Sequence, residues 1–282
     1  VLTKVTTYNT AAPFDPLIWN VINRPDTDLF EVRNADGLGA VKADVNTVQM
    51  GSVDKEVGVG SSYGKRNLVF TIGLDPDWED WTVSRLRRLL DKYFMPKTPI
   101  RLVFETMEFS PVEIFGEVES NEPNMFSKDP EHVISVICPD PDFVSVDAIQ
   151  IDGSTDMDPL EIDYEGNVPS GIVAQVKTSA DADPDVITIS NTYNEALGIE
   201  NFVVSSSSGA IPLDSTHSFM VSSIPGSKFA KLVGASEHNY LNDVMPGYVW
   251  PTFRQGINLF QIQTNVGVHP WSLSYYERFG SL

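Results

Sequence analysis

The sequence has one cysteine, Cys138, and four histidines among 282 residues. One cysteine cannot close an internal disulfide, and structural zinc sites draw on several Cys or His ligands. The thiol follows the apolar, strand-like run Val133-Ile134-Ser135-Val136-Ile137, so a buried, inert group is expected. A chain so poor in cysteine has no need of oxidative folding and fits synthesis in a reducing cytosol. His132, His217, His238 and His269 are scattered, and none forms a His-x-His or His-Glu-x-x-His zinc pattern. No stretch approaches the ~20 apolar residues of a membrane helix, so membrane insertion is not expected. The opening Val1–Tyr8 has no apolar core of the secretory type and is read as lacking an intact signal. Positive charge is also scarce. With 19 Lys and Arg against 39 Asp and Glu, the net charge is −20. Nucleic-acid binders present a basic face, so sequence-specific nucleic-acid binding is not expected. An acidic wall would still let DNA slide past without adhering.

What is present reads as a globular chain: 41% apolar and 21% charged residues, with enough length for one large domain or two ordinary ones. Charge divides it. Residues 1–143 hold 14 basic and 23 acidic residues, residues 144–282 hold 5 and 16. Between them lies Pro139-Asp140-Pro141-Asp142, followed by a Gly-, Asp- and Pro-rich stretch through Pro169. This turn chemistry places a boundary near residue 145 and predicts domains over 1–145 and 146–282.

One segment predicts a helix, Pro76–Phe94. Asp75 would cap it, Pro76 would occupy its first position and Pro96 would stop it. Val83, Leu86, Leu89, Leu90 and Tyr93 form an apolar stripe, with Trp78 at its edge. Arg85, Arg88 and Lys92 share a neighbouring face, toward which Trp81 projects. On so acidic a chain, the Arg87-Arg88 pair suits a solvated or subunit-facing surface better than nucleic-acid contact. Nearly everything else reads as strand and turn. Asn67–Leu74, Pro99–Thr106, Glu113–Ser120 and His132–Cys138 form one set. Gly171–Thr178, Asp185–Asn191, Phe202–Ser206, Ser218–Ser223, Ile257–Thr264 and Trp271–Phe279 form the second. In the last, Trp271, Leu273, Tyr275 and Phe279 share one face, with Glu277 the polar exception. Ile100, Leu102 and Phe104 alternate with Arg101 and Glu105 in the same way. The chain is therefore mainly β, in two sandwich or barrel domains, the first with one helix.

No catalytic pattern survives inspection. Gly58–Arg66 imitates a phosphate loop, but Arg66 stands where a Mg²⁺-binding Ser or Thr is needed and Tyr63 where a dinucleotide loop needs its third glycine. A turn before the strand at Asn67 is the better reading. Asp181, Asp183 and Asp185 alternate as calcium ligands might, yet the loop lacks the required glycine and closing glutamate, with Val186 and Thr192 in their places. Asp152, Asp156 and Asp158 are read in the same way, as surface acids. Ser205–Ser208 before Gly209 lacks the leading glycine of a nucleophile elbow. Glu117 and Glu119 share a strand face, but exposed acids are common here and do not make a glycosidase. No metal and no cofactor is expected. Trp250, Trp271, Tyr275 and Tyr276 could stack on sugars, although alternation sends Trp271 and Tyr275 inward and leaves Tyr276 as the platform in that strand.

Several short motifs follow one another along the chain. They are Gly64-x-Arg66-Asn67, the helix with Arg88-Leu89-Leu90 and Tyr93-Phe94-x-Pro96, and Gly116-Glu117-Val118-Glu119. Phe126-Ser127-Lys128 and Ile134-Ser135-x-x-Cys138-Pro139-Asp140-Pro141-x-Phe143 follow. The second half adds Tyr164–Pro169, Pro225-Gly226-x-Lys228 and the closing Trp250–Leu282. Taken in order, these motifs resemble siphophage distal tail proteins, the ring-forming hub at the tip of a long non-contractile tail. Gly280-Ser281-Leu282 departs from that family's more usual Gly-Gly-Leu. The resemblance implies an N-terminal ring domain, a C-terminal galectin-like β-sandwich and a homo-hexamer around a DNA channel. It also implies a place in the virion after assembly in the host cytoplasm. Its partners would be the tail tube protein and the tail-tip or tail-associated protein, with receptor-binding proteins as a further class. Closing a ring requires a head-to-tail interface, and Arg85, Arg88 and Lys92 are the candidate contributors on an otherwise negative subunit. The alternative is a carbohydrate-binding adhesin module carried by the second half. An enzyme ranks below both.

Overall fold

A computed structural model describes residues 1–12, 14–22, 28–49, 56–77, 79–124, 128–179, 182–194, 198–207 and 209–282. Trp78, Phe126, Ser127, Asp181 and Ser208, which entered the sequence reading, lie outside them. The chain is mainly β and divides into two compact units. The first holds Val1–Val146 together with Phe279–Leu282, and the second holds Asp147–Arg278. The last four residues, expected with the second domain, thus belong to the first unit.

The first unit runs β1 (Leu2–Asn9), β2 (Leu17–Asn20), β3 (Phe30–Asp36), β4 (Ala43–Gln49), β5 (Glu56–Tyr63), β6 (Arg66–Leu74), α1 (Val83–Phe94), β7 (Pro99–Thr106), β8 (Val112–Pro123), β9 (Glu131–Cys138) and β10 (Phe143–Ser145). Its main sheet has the order β2-β1-β7-β8-β9-β6-β3, antiparallel in each described pairing. The sheet curls into a nearly closed barrel. Alternation fills the interior: Leu68, Phe70 and Ile72 of β6, and Ile100, Leu102 and Phe104 of β7, point inward and are buried. Trp19 packs against both Phe70 and Phe94, with ring centroids 5.7 and 5.3 Å away, which ties the helix to this core.

The helix is shorter at its start than the sequence predicts. It begins at Val83, with Thr82 as its cap residue. Asp77 explains the delay, because its carboxylate accepts from the backbone amides of Asp80 (3.0 Å) and Trp81 (2.7 Å). That side chain offers those amides a local alternative to helical bonds. The cap position falls at Thr82 instead of Asp75, whose amide donates to the Leu29 carbonyl at 3.0 Å. From Val83 onward the expected stripe holds, with Leu86, Leu90, Tyr93 and Phe94 buried.

The second unit runs β11 (Ile149–Ser154), β12 (Leu160–Tyr164), β13 (Ser170–Val176), β14 (Val186–Asn194), β15 (Gly198–Ser205), β16 (His217–Ser222), β17 (Phe229–Gly234), β18 (His238–Asn239), β19 (Thr252–Phe253), β20 (Gly256–Thr264) and β21 (Pro270–Tyr275). One sheet has the order β11-β21-β13-β16-β17-β18, with β19 also on β13, and the other has the order β12-β20-β14-β15. Trp271, Leu273 and Tyr275 from the first sheet and Phe260 and Ile262 from the second share one buried core, as in a β-sandwich. The closing strand expected over Trp271–Phe279 stops at Tyr275. Phe279 does not continue that face; it packs on the core of the first unit.

Two sequence motifs turn out to be polar braces of the second unit. The buried Tyr164 hydroxyl donates to Val168 (2.7 Å) and accepts from the Arg278 amide (2.9 Å). Gly166 lies so close that an added Cβ would meet the Tyr164 hydroxyl at 2.4 Å, so any side chain there would force its neighbours to shift. In the Gly256-Ile257-Asn258 turn, the buried Asn258 amide donates to the carbonyls of Arg254 and Gly256, both at 2.8 Å. Its carbonyl accepts from the Arg254 amide and from Asn191, so all its bonding capacity is used.

Candidate functional site

Helical spacing brings two of the three predicted interface residues together. Arg85 and Arg88 lie three residues apart on one side of α1 and, with Asp80 and Trp81 just before the helix, line an open pocket of about 440 Å³. Trp81 forms its apolar wall while packing partly against the barrel core. Arg85 donates to the Asp80 carbonyl, and Arg85 and Arg88 are exposed. Lys92, a further turn along, behaves differently. Its ammonium sits 3.8 Å above the Phe14 ring, a cation–π contact outside this pocket. None of the three makes an ion pair among the described residues. By contrast, Arg33 is surrounded by Glu31, Asp129 and Glu131, and Arg101 pairs with Glu113. Arg87 turns away from its neighbour Arg88 and reaches the Asn124 carbonyl at 3.2 Å.

The other distinctive surface was not legible. β4 and β5 form a two-stranded hairpin, inserted between β3 and β6, that pairs with no other sheet among the described residues. Val45, Val48, Val59 and Tyr63 on it are 53–69% exposed. The phosphate-loop look-alike is therefore mostly strand: Glu56–Tyr63 belongs to β5, and the expected turn shrinks to Gly64 and Lys65. Gly58, Gly60, Ser61 and Ser62 are poor strand formers by composition, which concealed it.

Behind the helix lies a buried polar chain. Asp91 accepts from the Asn121 amide at 3.0 Å, which turns the Asn121 carbonyl toward His132 Nδ1 at 2.7 Å. That arrangement makes Nδ1 the protonated nitrogen, while Nε2 is buried without a partner. Burial pushes the His132 pKa down and nearby Arg87 adds to this, against the opposing pull of Asp91. His132 is thus a neutral structural group. Cys138 is buried as expected, and burial lifts its thiol to about 12, far from the thiolate a nucleophile needs.

Arg66, the residue that breaks the phosphate-loop pattern, is 98% buried. Its guanidinium donates to the carbonyls of Pro141 and Gly37 (2.5 Å each), Gly39 (2.6 Å) and Gly280 (2.7 Å) and lies 4.4 Å from the Phe143 ring centroid. It is a brace that spends four of its five N–H donors on backbone carbonyls. The Glu119 carboxylate, at a bulge in β8, accepts from Ser135 at 2.8 Å. No group of three or more metal-ligating side chains occurs among the described residues.

In the second unit the candidate sugar-stacking residues separate. Trp271 and Tyr275 are core. Trp250 is half-buried against Phe202, at 4.5 Å between centroids, and Tyr276 is exposed. A polar trough of about 370 Å³ runs instead along the outer face of the larger sheet, over Ser272 and Ser274.

No protein-family model matches the chain, and no curated protein does. Among solved structures, it is similar to the SPP1 Dit protein, described as a hub of the adsorption apparatus in phages that infect Gram-positive hosts. The identity is 14% and the TM-score 0.63, over 90% of this chain and 95% of that one. The phage P2 baseplate in its activated conformation with Ca is also matched, at 9% identity and TM-score 0.45, over 100% of both chains. The SPP1 likeness establishes the fold, which is that of a Dit protein along nearly the whole chain.

Proposed function

We propose that this chain is the distal tail hub of a siphophage, a structural virion protein without catalytic activity. Six copies of the first unit close a ring around the DNA channel at the end of the tail tube. One rim receives the tail tube protein, and the other receives the tail-tip protein. The galectin-like second unit is an attachment point for receptor-binding proteins. The particle is assembled in the host cytoplasm and leaves in the virion.

The observation that carries this reading is the β4–β5 hairpin. A two-stranded hairpin alone is marginally stable in water, and this one leaves four large apolar side chains bare and both edges unpaired among the described residues. Exposed strand edges and grouped apolar side chains invite a partner. In a head-to-tail ring that partner is the next copy, and closure leaves no copy unsatisfied. Arg85 and Arg88 supply local positive charge on a subunit of net charge −20, which offsets repulsion between like subunits. The shared fold with the SPP1 hub protein supports the same reading.

The test is a reconstruction of tails assembled with this chain, paired with a variant in which residues 43–63 are replaced by a short Gly-Ser turn. Six copies at the distal end of the tube are expected for the native chain, and none for the variant. Density for this chain in any other place or number would refute the reading.

A further inference from the structure

The turn between β7 and β8 carries two large apolar side chains into solvent. Met107 is 69% exposed and Phe109 66%. The backbone beneath them is held in shape. The Thr106 hydroxyl accepts from the Phe109 amide at 3.1 Å and donates to the Phe109 carbonyl at 3.3 Å. The Met107 amide donates to the Val1 carbonyl at 3.1 Å. An ordered turn loses less entropy when a partner covers it than a loose one does. Glu108 stands between the two, exposed and without an ion pair among the described residues. Among those residues, Met107 and Phe109 are the pair of exposed large apolar side chains that brackets a carboxylate.

We infer that this turn plugs the pocket beside Trp81 on a second copy of the chain. The two features match in kind. The pocket offers one apolar wall, Trp81, and two cations without a carboxylate partner, Arg85 and Arg88, which outnumber its one acid, Asp80. The turn offers two apolar side chains and one unpaired carboxylate. Glu108 supplies the negative charge that the arginines lack, in charge-assisted hydrogen bonds. Phe109 and Met107 cover Trp81 and the aliphatic stems of the arginines. Aromatic residues, Met and Arg are the types enriched at protein interfaces.

A copy cannot fill its own pocket. The turn leads into β8 at Val112, whereas α1 lies at the other end of that strand, where Asp91 accepts from Asn121 and Arg87 donates to the Asn124 carbonyl. β8 has 12 residues, and at ~3.3 Å each its ends stand roughly 35 Å apart. Plug and socket at opposite ends can meet only between copies, head to tail, which is the contact that a ring repeats. Register places the β4–β5 hairpin at the same end as the turn. It enters β6 at Arg66, opposite Cys138, and neighbouring Ile137 lies opposite Glu117, while Ile72 at the far end of β6 meets His132, opposite Pro123. The hairpin and the turn thus reach toward one neighbour together. This inference rests on the hub reading and adds to it the residues that fill the pocket.

The experiment assembles tails with three preparations of the full chain: Glu108→Arg, Arg85→Glu/Arg88→Glu, and an equimolar mixture of the two. Either variant alone sets like charges against each other at every junction, and a loss of at least about tenfold in tails carrying this chain is expected. In the mixture, the E108R turn meets the R85E/R88E pocket, and the native turn of the second chain meets the native pocket of the first. Alternating copies restore opposite charges at every junction, so tails should be recovered, and recovery itself shows that both variants fold. If the melting temperature of E108R is not native, Glu108→Lys takes its place with the same criterion. Undiminished tails from E108R alone, or a mixture that yields no more tails than its components, would overturn the inference. Native chain imaged in parallel reports on the hub reading. Native copies at the distal end with a failed mixture sink this contact and leave the hub standing; native copies absent from that end sink both.

Discussion

Arg66 and Gly280 are 214 residues apart in sequence, and the guanidinium of one donates to the carbonyl of the other at 2.7 Å. The bond holds the chain's last residues in the first unit, where Leu282 also donates to Leu38 at 3.0 Å. Three further carbonyls, of Gly37, Gly39 and Pro141, share the same cation. A planar guanidinium with five donors can serve four acceptors at once, and an ammonium cannot. Burial lowers the Arg66 pKa, while the Cys138 thiol and Asp142 act in the opposite direction. The charge is therefore retained by its dense acceptor shell and by Phe143.

Arg66→Met strands buried carbonyls that cost ~1–3 kcal/mol each when unsatisfied. A loss of at least ~3 kcal/mol in urea unfolding is expected from such a set. Arg66→Lys should recover only part of it. Equal stability of R66M and the native chain would show that water replaces the cation without cost.

In the second unit, Tyr164→Phe removes one donor and one acceptor from a closed loop. It should cost ~1–3 kcal/mol, as for other buried hydrogen-bonding groups. Gly166→Ala forces a methyl group to within 2.4 Å of the same hydroxyl and should cost ~1–3 kcal/mol by overpacking. Combining G166A with Tyr164→Phe should relieve little of that strain, since the ring carbon that bore the hydroxyl stays at 2.5 Å and the Arg278 carbonyl at 2.7 Å. Thermal melts of the three variants provide the double-mutant cycle.

His132 makes stability depend on acid. Its pKa in the folded chain lies below the ordinary 6.5, so as pH falls through about 6.5 the unfolded chain takes up a proton first. The contribution is complete above 6.5 and is lost progressively as pH falls from there to the folded value. His132→Gln should flatten that part of the stability–pH curve, as read by denaturant midpoints between pH 7.5 and 5. A native curve with no slope in that window would contradict a neutral buried imidazole.

Cys138 supplies the opposite sign. Its thiol, raised to about 12 from an ordinary 9.0, stays protonated in the folded chain after the unfolded chain has ionised. Its contribution is therefore complete below 9.0 and is lost as pH rises toward 12. At neutral pH, Ellman's reagent should report no accessible thiol until the chain is unfolded in guanidinium. Rapid labelling of native protein would contradict the buried setting.

Much of this architecture could be read from side-chain period. β7 coincides with the predicted Pro99–Thr106 because Ile100, Leu102 and Phe104 alternate with Arg101 and Glu105, although Val103 on the second face is buried too. The latter part of α1 was legible for the same reason, at the helical period. Three things were not. The helix start was hidden because Asp77 bonds the amides of Asp80 and Trp81, a competition that periodicity does not register. The β4–β5 hairpin was hidden because β5 is rich in Gly and Ser and the described side chains of both strands bury no face, so little apolar patterning marks it. Arg66 was hidden because its partners come from three separate places in the sequence. A basic residue opening an otherwise apolar strand was the available signal. The trough depends on β11, an unpredicted strand that brings Gln150 and Asp152 beside β21.

The proposed ring interface separates the three basic residues that the sequence grouped. Arg85 and Arg88 share the pocket beside Trp81 and have no carboxylate partner among the described residues, so their charge is available to a neighbouring copy. Lys92 is occupied by Phe14 at 3.8 Å. Arg85→Glu/Arg88→Glu turns two attractions into repulsions on a subunit that already carries −20. Close charge pairs across interfaces couple by ~1.5–7 kcal/mol, and a ring repeats each contact at every junction. The double variant should therefore fail to assemble while keeping its native melting temperature, since both side chains are exposed. Lys92→Ala should weaken assembly little. Negative-stain images of assembly reactions, with light scattering for mass, distinguish the outcomes. An intact ring from the double variant would remove these arginines from the interface and leave the hairpin as its principal contact.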